Sequence, residues 1–214
     1  MSTQIDGARV ATALIHVANV IEANKDYLCA LDGEVGDGDH GVSMTIGMRT
    51  ARKALQSLGA PTPSQAFQTV SDAFADEVGA ASGVLYETAF AAAARAANAK
   101  TTLNTTADWA SIFEAIVEEM QRVGKAQVGD KTLLDAWFPA AQAMRQAAQQ
   151  GASLQEGFAR AIAAAWQGVE HTKDLIPKRG RASRLGERAR GHQDAGATSA
   201  WLIIKALAEG LGLA

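Results

Sequence analysis

Apolar residues recur along most of the chain at the spacing of one face of an α-helix. Between about Thr3 and Lys25 they lie four, three and four positions apart, at Val10, Leu14, Val17 and Ile21. Seven further segments repeat this pattern, over about 40–58, 62–78, the alanine-rich stretch up to 99, and from near 108, 134, 153 and 197 onward. No segment predicts a convincing strand. The pattern therefore favours an all-α chain of about eight helices.

Capping signals mark the ends of several of these helices. Thr62-Pro63-Ser64-Gln65 combines an N-cap residue, a proline at the first helical position and a capping glutamine. Ser153–Glu156 is a second capping box, and Pro139 predicts a kink inside its helix. No repeat, low-complexity tract or linker divides the chain, so we expect one domain over residues 1–214.

Composition and charge exclude several classes of protein. The 214 residues carry a net charge of −3, so no overall positive field would recruit nucleic acid. No apolar run is long enough to span a bilayer, and Asp6 and Arg9 precede the first apolar run, so no signal peptide is visible. Cys29 is the single cysteine, which excludes an internal disulfide and fits a reducing compartment. We expect a cytoplasmic protein that binds neither nucleic acid nor membrane.

One acidic, glycine-rich stretch, Leu31–Gly41, interrupts the helical pattern and is expected to form a loop. It holds three aspartates, Asp32, Asp37 and Asp39, among four glycines. Clustered carboxylates repel one another unless a cation neutralises them, and ligands that are all oxygen suit Mg²⁺. A helix begins directly afterwards, and a helix N-terminus favours phosphate. The stretch predicts a site for a Mg²⁺-bound polyphosphate, with a solvated acidic turn as the alternative.

Two known motifs overlap this stretch but do not fit it. Gly36–Gly41 matches G-x-G-x-x-G, yet the residues that follow are helical where a dinucleotide-binding unit would place its second strand. The two aspartates inside the motif would also repel a bare pyrophosphate. Counted as an EF-hand from Asp32, the twelfth position is Ser43, where a bidentate glutamate is required. Both interpretations are therefore set aside.

Three later stretches also depart from the helical pattern. Small residues over Gly79–Tyr86 indicate either a corner between helices or a wall where a ligand approaches the backbone. Gly124–Thr132 resembles a P-loop, but Asp130 intrudes before the lysine and a helix precedes it; Asp130 is expected to be an N-cap or a ligand contact. Ile176–Gly196 is long and rich in arginine, which indicates an anion-binding lid, a solvated charged loop or a nucleic-acid patch.

The four histidines divide into two pairs. His40 and His192 lie in the two unusual loops and are candidates for ligand contact. His16 and His171 lie within helical segments, where structural or surface roles are expected.

Four motifs, in this order along nearly the whole chain, resemble the L subunit of dihydroxyacetone kinases. They are Leu31-Asp32 with Gly36–Gly41, Ala81-Ser82-Gly83 with Leu85-Tyr86, Gly129–Thr132 with Leu134-Asp135, and Gly180–Ser183 with Leu185–Arg188, ending in Gly191–Asp194. Any one of them alone is weak, but the ordered set is specific. The fold that the resemblance implies is an eight-helix antiparallel barrel with the nucleotide at one end, in agreement with the helix count.

The resemblance also implies site residues and cofactors. Asp32, Asp37 and Asp39 would hold two Mg²⁺ ions that bridge the phosphates of ADP or ATP. The nucleotide-binding residues would be His40, Gly41, Val42, Ser43, Ala81, Ser82, Arg181, Asp194, Ala195 and Gly196, with Gly124 and Leu133 added by position more than by motif. No residue is assigned as a covalent nucleophile, because phosphoryl transfer depends on positioning and charge neutralisation.

Three positions depart from the family pattern, and they bear on the substrate and the partner. Ala80 replaces a common glycine, Glu87 a small residue and Ala195 a proline; the first two would alter the pocket wall and the third would loosen the lid. In the family, the ketose is held by a separate K subunit or domain, so we expect this chain to be a free-standing subunit with a K-type partner. The phosphoryl donor is either exchangeable ATP or a phosphoprotein of the phosphotransferase system that rephosphorylates bound ADP. A homodimer is a further assembly to test.

We therefore expect a phosphotransferase subunit that acts on dihydroxyacetone. One alternative is the same site with another acceptor, such as a tetrose ketose or an acyl chain. The other is a nucleotide-sensing module that docks a regulator without turnover.

Overall fold

The computed structural model describes residues 4–214, and this part of the chain forms nine α-helices. They are α1 Gly7–Ala23, α2 Lys25–Val35, α3 His40–Gln56, α4 Pro63–Glu77, α5 Ala81–Ala96, α6 Thr106–Gly124, α7 Leu134–Gln149, α8 Leu154–His171 and α9 Ala195–Gly210. The described residues contain no strand, only an isolated bridge between Asp6 and Thr102. The all-α prediction is confirmed.

Eight of these helices form a closed ring. α1 packs on α3, each helix from α3 to α8 packs on the next one, and α9 returns to α1. Neighbours are antiparallel: Arg9 near the start of α1 donates to the Leu211 carbonyl just after the end of α9, and Ser64 near the start of α4 donates to Ala94 O near the end of α5. The expected eight-helix antiparallel barrel is therefore present. One end of it collects the N-termini of α3, α5, α7 and α9.

The remaining helix, α2, lies outside this ring and packs on α3 and α9. It corrects the prediction that Leu31–Gly41 is a loop throughout, because Leu31–Val35 form the last turns of α2 and only residues 36–39 connect it to α3. The first helix is correspondingly shorter than predicted and covers Gly7–Ala23, while the predicted start near Thr3 lies outside the described residues. The apolar spacing does not predict α2, because only two residues of this helix, Leu28 and Val35, are buried.

The core fills the ring with aromatic side chains surrounded by alanines. Trp109 of α6 packs edge-on against Phe158 of α8 and Phe67 of α4. Where helices approach more closely, glycine replaces the side chain: a Cβ at Gly47 of α3 would lie 2.6 Å from the Phe74 ring. None of the described helices is long and apolar enough to cross a membrane.

Side-chain caps begin five of the nine described helices, and the sequence predicts two of these caps, at α4 and α8. Thr62 and Gln65 form the reciprocal capping box of α4, and Ser153 Oγ accepts from Glu156 N at the start of α8. Pro139 lies inside α7, and because proline has no N–H, the Asp135 carbonyl lacks its intrahelical hydrogen bond. Gly168 of α8 packs closely on this carbonyl, since a Cβ at Gly168 would lie 1.8 Å from the oxygen. The predicted N-cap role of Asp130 is wrong, since α7 begins four residues later, at Leu134.

The segment between α8 and α9, residues 172–194, is called the α8–α9 connection below. It contains two 3₁₀ segments, Thr172–Asp174 and Arg181–Ala189. It starts and ends at the barrel end that holds the N-terminus of α9, where Asp194 N donates to Thr172 Oγ1 at 3.0 Å.

Candidate functional site

Three carboxylates meet at the junction of α2 and α3. Asp32 lies in the last turn of α2, while Asp37 and Asp39 lie in the short connection that follows. One oxygen from each of the three lies within 4.8 Å of the other two. The structure therefore brings together all three residues predicted to bind metal.

Local backbone geometry creates this cluster. Asp32 Oδ2 accepts hydrogen bonds from Asp39 N at 3.0 Å and His40 N at 3.2 Å, which folds the connection back over the end of α2. Glycine suits position 36, because a Cβ there would lie 2.4 Å from Asp32 Oδ1 and the carboxylate would have to shift. Gly38 has φ +77°, a conformation that favours glycine. The glycines predicted to fold the chain tightly thus hold the carboxylates together.

The N-terminus of α3 lies directly beside the carboxylates. Asp39 occupies the N-cap position, but its own side chain makes no capping bond, and Asp32 supplies the cap instead. Gly41 packs against α2, where a Cβ would lie 2.1 Å from Lys25 O, whereas Val42 is exposed and Ser43 is half-buried. A helix N-terminus next to clustered carboxylates suits a cation and an anion bound together.

His40 joins this helix start to the barrel interior. Its Nε2 lies 2.9 Å from Ser199 Oγ of α9, which in turn lies 3.1 Å from the Tyr86 hydroxyl of α5. Burial lowers the pKa of His40 to about 4, and the nearby Asp32 only partly opposes this. Burial also raises the pKa of Tyr86. His40 is therefore neutral at pH 7, and the contacts that the structure gives it tie three helices together.

A second group of polar residues lies between α6 and α7. The Asp135 carboxylate is buried and accepts from Gly129 N at 2.6 Å and Thr132 N at 2.7 Å. The Asp130 carboxylate accepts from Gln127 N at 2.9 Å and pairs with Lys178 at 3.2 Å. Instead of capping α7, Asp130 therefore links the α6–α7 loop to the α8–α9 connection.

The start of α9 meets this loop. Asp194 Oδ2 caps α9 by accepting from Ala197 N at 2.7 Å, and a Cβ at Gly196 would lie 3.4 Å from Leu133 N. Burial raises the pKa of Asp194 to about 7; the neighbouring Asp135 adds to this rise, while the Ala197 N–H and Lys131 oppose it. Predicted residues Leu133, Asp194 and Gly196 are thus adjacent, and the buried Ala195 lies between two of them.

The α8–α9 connection reaches back to the carboxylates. Arg181, at the start of its second 3₁₀ segment, forms an ion pair with Asp37. His192 Nδ1, near the end of the connection, lies 3.1 Å from Glu34 Oε2 in α2. An arginine of the α8–α9 connection therefore pairs with one carboxylate of the cluster, and its role as a lid stays a prediction.

The remaining predicted residues form the opposite side of the same barrel end. Ala81 is exposed and Ser82 half-buried in the first turn of α5, where the N-cap residue Ala80 makes no side-chain cap. Gly124 ends α6 beside them, since a Cβ there would lie 3.1 Å from Leu85 Cδ2. Sequence reasoning missed Ser199 and the role of Tyr86, and it considered Lys131 only as a ligand contact beside Asp130. Each is a buried polar group in an otherwise apolar neighbourhood, and its partners are distant in sequence.

Comparison with known proteins gives consistent matches over nearly the whole chain. Residues 34–209 match the DAK2 domain family. The chain is 35% identical over 209 residues to the ADP-binding subunit DhaL of the PEP-dependent dihydroxyacetone kinase 2 of Listeria innocua, and the match covers 97% of the chain and 96% of that protein. It is also 35% identical to the L-erythrulose kinase of Pectobacterium atrosepticum, covering 92% of the chain but 34% of that longer protein.

A solved structure agrees with these matches. The crystal structure of the dihydroxyacetone kinase from C. freundii in complex with AMP-PNP and Mg²⁺ superimposes with a TM-score of 0.73 at 27% sequence identity. The match covers 98% of this chain and 35% of that chain.

Proposed function

We propose that this chain is the nucleotide-binding subunit of a dihydroxyacetone kinase. It belongs to the DAK2 domain family, and within that family to the DhaL-type subunits. It would transfer a phosphoryl group from a Mg²⁺-bound nucleotide to dihydroxyacetone held on a K-type partner. The observation that carries this proposal is the cluster of Asp32, Asp37 and Asp39 at the start of α3, with Arg181 over it.

The chemistry of the cluster fits magnesium. Mg²⁺ prefers oxygen ligands, and it is usually held by a small number of carboxylates together with phosphates and water. Asp32 Oδ2 is occupied by two backbone N–H groups, so Oδ1 is its ligand atom, and Gly36 leaves space around that atom. Asp37 and Asp39 are exposed and would supply the other ligands. We propose two ions, which when bound would neutralise the charge that develops on the transferred phosphoryl group.

The groups around the cluster would bind the nucleotide. Its phosphates would meet the N-terminus of α3 at His40–Ser43, where backbone N–H groups and the helix dipole favour anions. Arg181 would exchange Asp37 for phosphate oxygens, to which a guanidinium binds in a bidentate manner. The rest of the nucleotide would lie against Ala81, Ser82 and Gly124 on one side and Leu133 and residues 194–196 on the other.

The residues of this chain would position the donor and leave the acceptor to the partner. The second polar group at this barrel end, around Asp130 and Asp135, is taken up by main-chain N–H groups and Lys178, so it does not suggest a sugar site. Because in-line positioning dominates phosphoryl transfer, the acceptor hydroxyl must be presented by another subunit. We propose a K-type subunit as that partner, residues 1–214 as one nucleotide-binding domain, and the cytoplasm as the compartment.

Two finer features of the reaction are separable by experiment. The donor is either exchangeable ATP or ADP that stays bound and is rephosphorylated by a phosphotransferase-system protein. The Listeria innocua relative, described as PEP-dependent, favours the second form. The acceptor is dihydroxyacetone or, as a second candidate favoured by the similarity to an L-erythrulose kinase, a tetrose ketose.

The decisive experiment is a coupled assay of ketose phosphate formation with each component omitted in turn. The purified chain should bind Mg²⁺–ADP but form no product from free dihydroxyacetone and ATP. Product should appear when a K-type subunit is added, with ATP or with a phosphorylated phosphotransferase protein. Sustained turnover by the chain alone would refute the subunit proposal. Nucleotide binding without transfer in every mixture would favour the sensing alternative.

A further inference from the structure

Lys131 is a buried lysine that faces the α8–α9 connection. It is 3% exposed, and its backbone has φ +60°, a left-handed conformation that is uncommon outside glycine. The ammonium group donates to Ala189 O and His192 O at 2.7 Å each and to Leu175 O at 3.4 Å. The three N–H donors of a lysine are thus all directed at main-chain carbonyls of one segment.

These carbonyls lie at the two ends of the connection. Leu175 is near its start, Ala189 and His192 are near its end, and Arg181 lies between them. Two backbone hydrogen bonds also hold the connection in place. Gly191 N donates to Lys173 O at 2.7 Å and joins its two ends, and Lys178 N donates to Asp130 O at 3.1 Å, next to Lys131. The connection is therefore a compact loop whose ends meet at Lys131 and whose arginine lies on Asp37.

Lys131 is held by backbone dipoles. Among the described residues it forms no ion pair, and the nearby Asp194 only partly opposes the lowering of its pKa by burial. A carboxylate partner would fix one side chain, whereas three carbonyls fix the path of the main chain itself. Loss of the ammonium would leave three carbonyls without this donor and release both ends of the loop.

We propose that Lys131 is the positioning residue that sets the α8–α9 connection over the carboxylate cluster, so that Arg181 reaches the phosphates of the bound nucleotide. It acts through Arg181 and does not itself touch the nucleotide. The identity of the ligand rests on the proposed function, but the anchoring of the connection does not require any ligand.

The anchoring is tested without nucleotide by limited trypsin digestion. Lys131→Met removes the ammonium and keeps the side-chain stem, and Lys53→Met changes an exposed lysine of α3 as the matched control. Cleavage after the exposed Arg181, Arg184 and Arg188 should become about tenfold faster in Lys131→Met, with the helical circular dichroism retained, and should not change in Lys53→Met. Equal cleavage rates would overturn the proposal. If Lys131→Met does not fold, Lys131→Gln takes its place; failure of both to fold would also overturn it, because the lysine would then support the whole barrel.

The action through Arg181 is tested by a double-mutant cycle. The release rate of a fluorescent ADP analogue with Mg²⁺ is measured in wild type, Lys131→Met, Arg181→Ala and the double variant. Lys131→Met should speed release about tenfold in the wild-type background and less than about twofold when Arg181 is already alanine, with association rates unchanged. Additive effects would contradict the proposal. If wild type binds no Mg²⁺–ADP, the proposed function fails, while the trypsin result still decides whether Lys131 anchors the connection.

Discussion

Neutralising Asp39 should change the stability of the protein in opposite directions with and without Mg²⁺–nucleotide. Its carboxylate oxygen lies within 4.8 Å of oxygens of Asp32 and Asp37, and no hydrogen bond or ion pair of the described residues uses its side chain. Two unit charges at that separation repel by about 1 kcal/mol in a water-like dielectric and by about 3 kcal/mol at an effective dielectric constant of 20. Because Asp39 is exposed, the lower figure applies.

The expected gain is the relief of this repulsion less a smaller loss. A negative charge at the first turn of α3 is favourable by roughly 0.3–1 kcal/mol, and Asp39→Asn gives that up. Asp32 supplies most of this relief, because Arg181 already offsets the charge of Asp37 in the metal-free protein. The metal-free variant should therefore be more stable by about 0.5 kcal/mol, which raises the Tm by roughly 1–2 °C for a chain of this size. With Mg²⁺–ADP at about 100 times its Kd, the wild type should gain about 2.7 kcal/mol and the variant much less.

The assay is a thermal melt in EDTA and in Mg²⁺–ADP. Asp76→Asn, on the exposed side of α4, is the matched control and should keep the ligand-dependent shift of the wild type. The stability order of wild type and Asp39→Asn should reverse between the two conditions. A variant that is less stable in EDTA and that gains as much as wild type from Mg²⁺–ADP would refute the metal site.

Three further predictions concern the groups around the cluster. Arg181→Ala should weaken Mg²⁺–ADP binding by about 1.5–3 kcal/mol, measured by calorimetry, while its metal-free Tm stays close to that of wild type. Arg184→Ala, at an exposed arginine of the same connection, is the control and should bind as wild type does. Equal affinities of wild type and Arg181→Ala would indicate that the connection is a solvated loop. Ser199→Ala removes the hydroxyl shared by His40 and Tyr86, so urea unfolding should show a loss of about 1–3 kcal/mol, whereas Thr88→Ala, whose hydroxyl bonds only within α5, should lose less. Burial raises the pKa of Asp108, but hydrogen bonds from Lys100 and Thr105 outweigh burial, so the pKa in the folded protein is lowered. This carboxylate therefore stabilises the fold at pH values above its unfolded pKa, and the contribution is lost as the pH falls through the folded pKa. Asp108→Asn should therefore flatten the loss of stability in urea melts between about pH 5 and pH 3, and an unchanged slope would contradict the assignment.

Sequence reasoning worked best where a signal is local. The α4 capping box depends on Thr62 and Gln65, three residues apart, and both bonds are present. The three aspartates of the carboxylate cluster lie within eight residues of one another, so the glycines between them could bring them together without knowledge of the fold. The arginine-rich α8–α9 connection was predictable because charge and length are also properties of one segment.

Features that depend on distant partners were not predictable in this way. In the sequence, Lys131 is part of a segment that resembles a P-loop without matching it. Its anchoring role could not be predicted, because the carbonyls that hold it lie more than 40 residues away. The contact between His40 and Ser199 was not predictable either, since the two residues lie 159 positions apart in the sequence. α2 was missed for a different reason: it packs at the barrel end with few buried residues, so its apolar period is weak.

We propose that the three aspartates bind nucleotide through Mg²⁺. The measurement that tests it most directly is a calorimetric titration of ADP into wild type and Asp37→Asn, each with Mg²⁺ and with EDTA, with far-UV circular dichroism of both proteins. We expect tight binding only for wild type with Mg²⁺, and unchanged helical content in the variant. Equal affinity of the two proteins for Mg²⁺–ADP, or equal affinity of wild type with and without Mg²⁺, would contradict it.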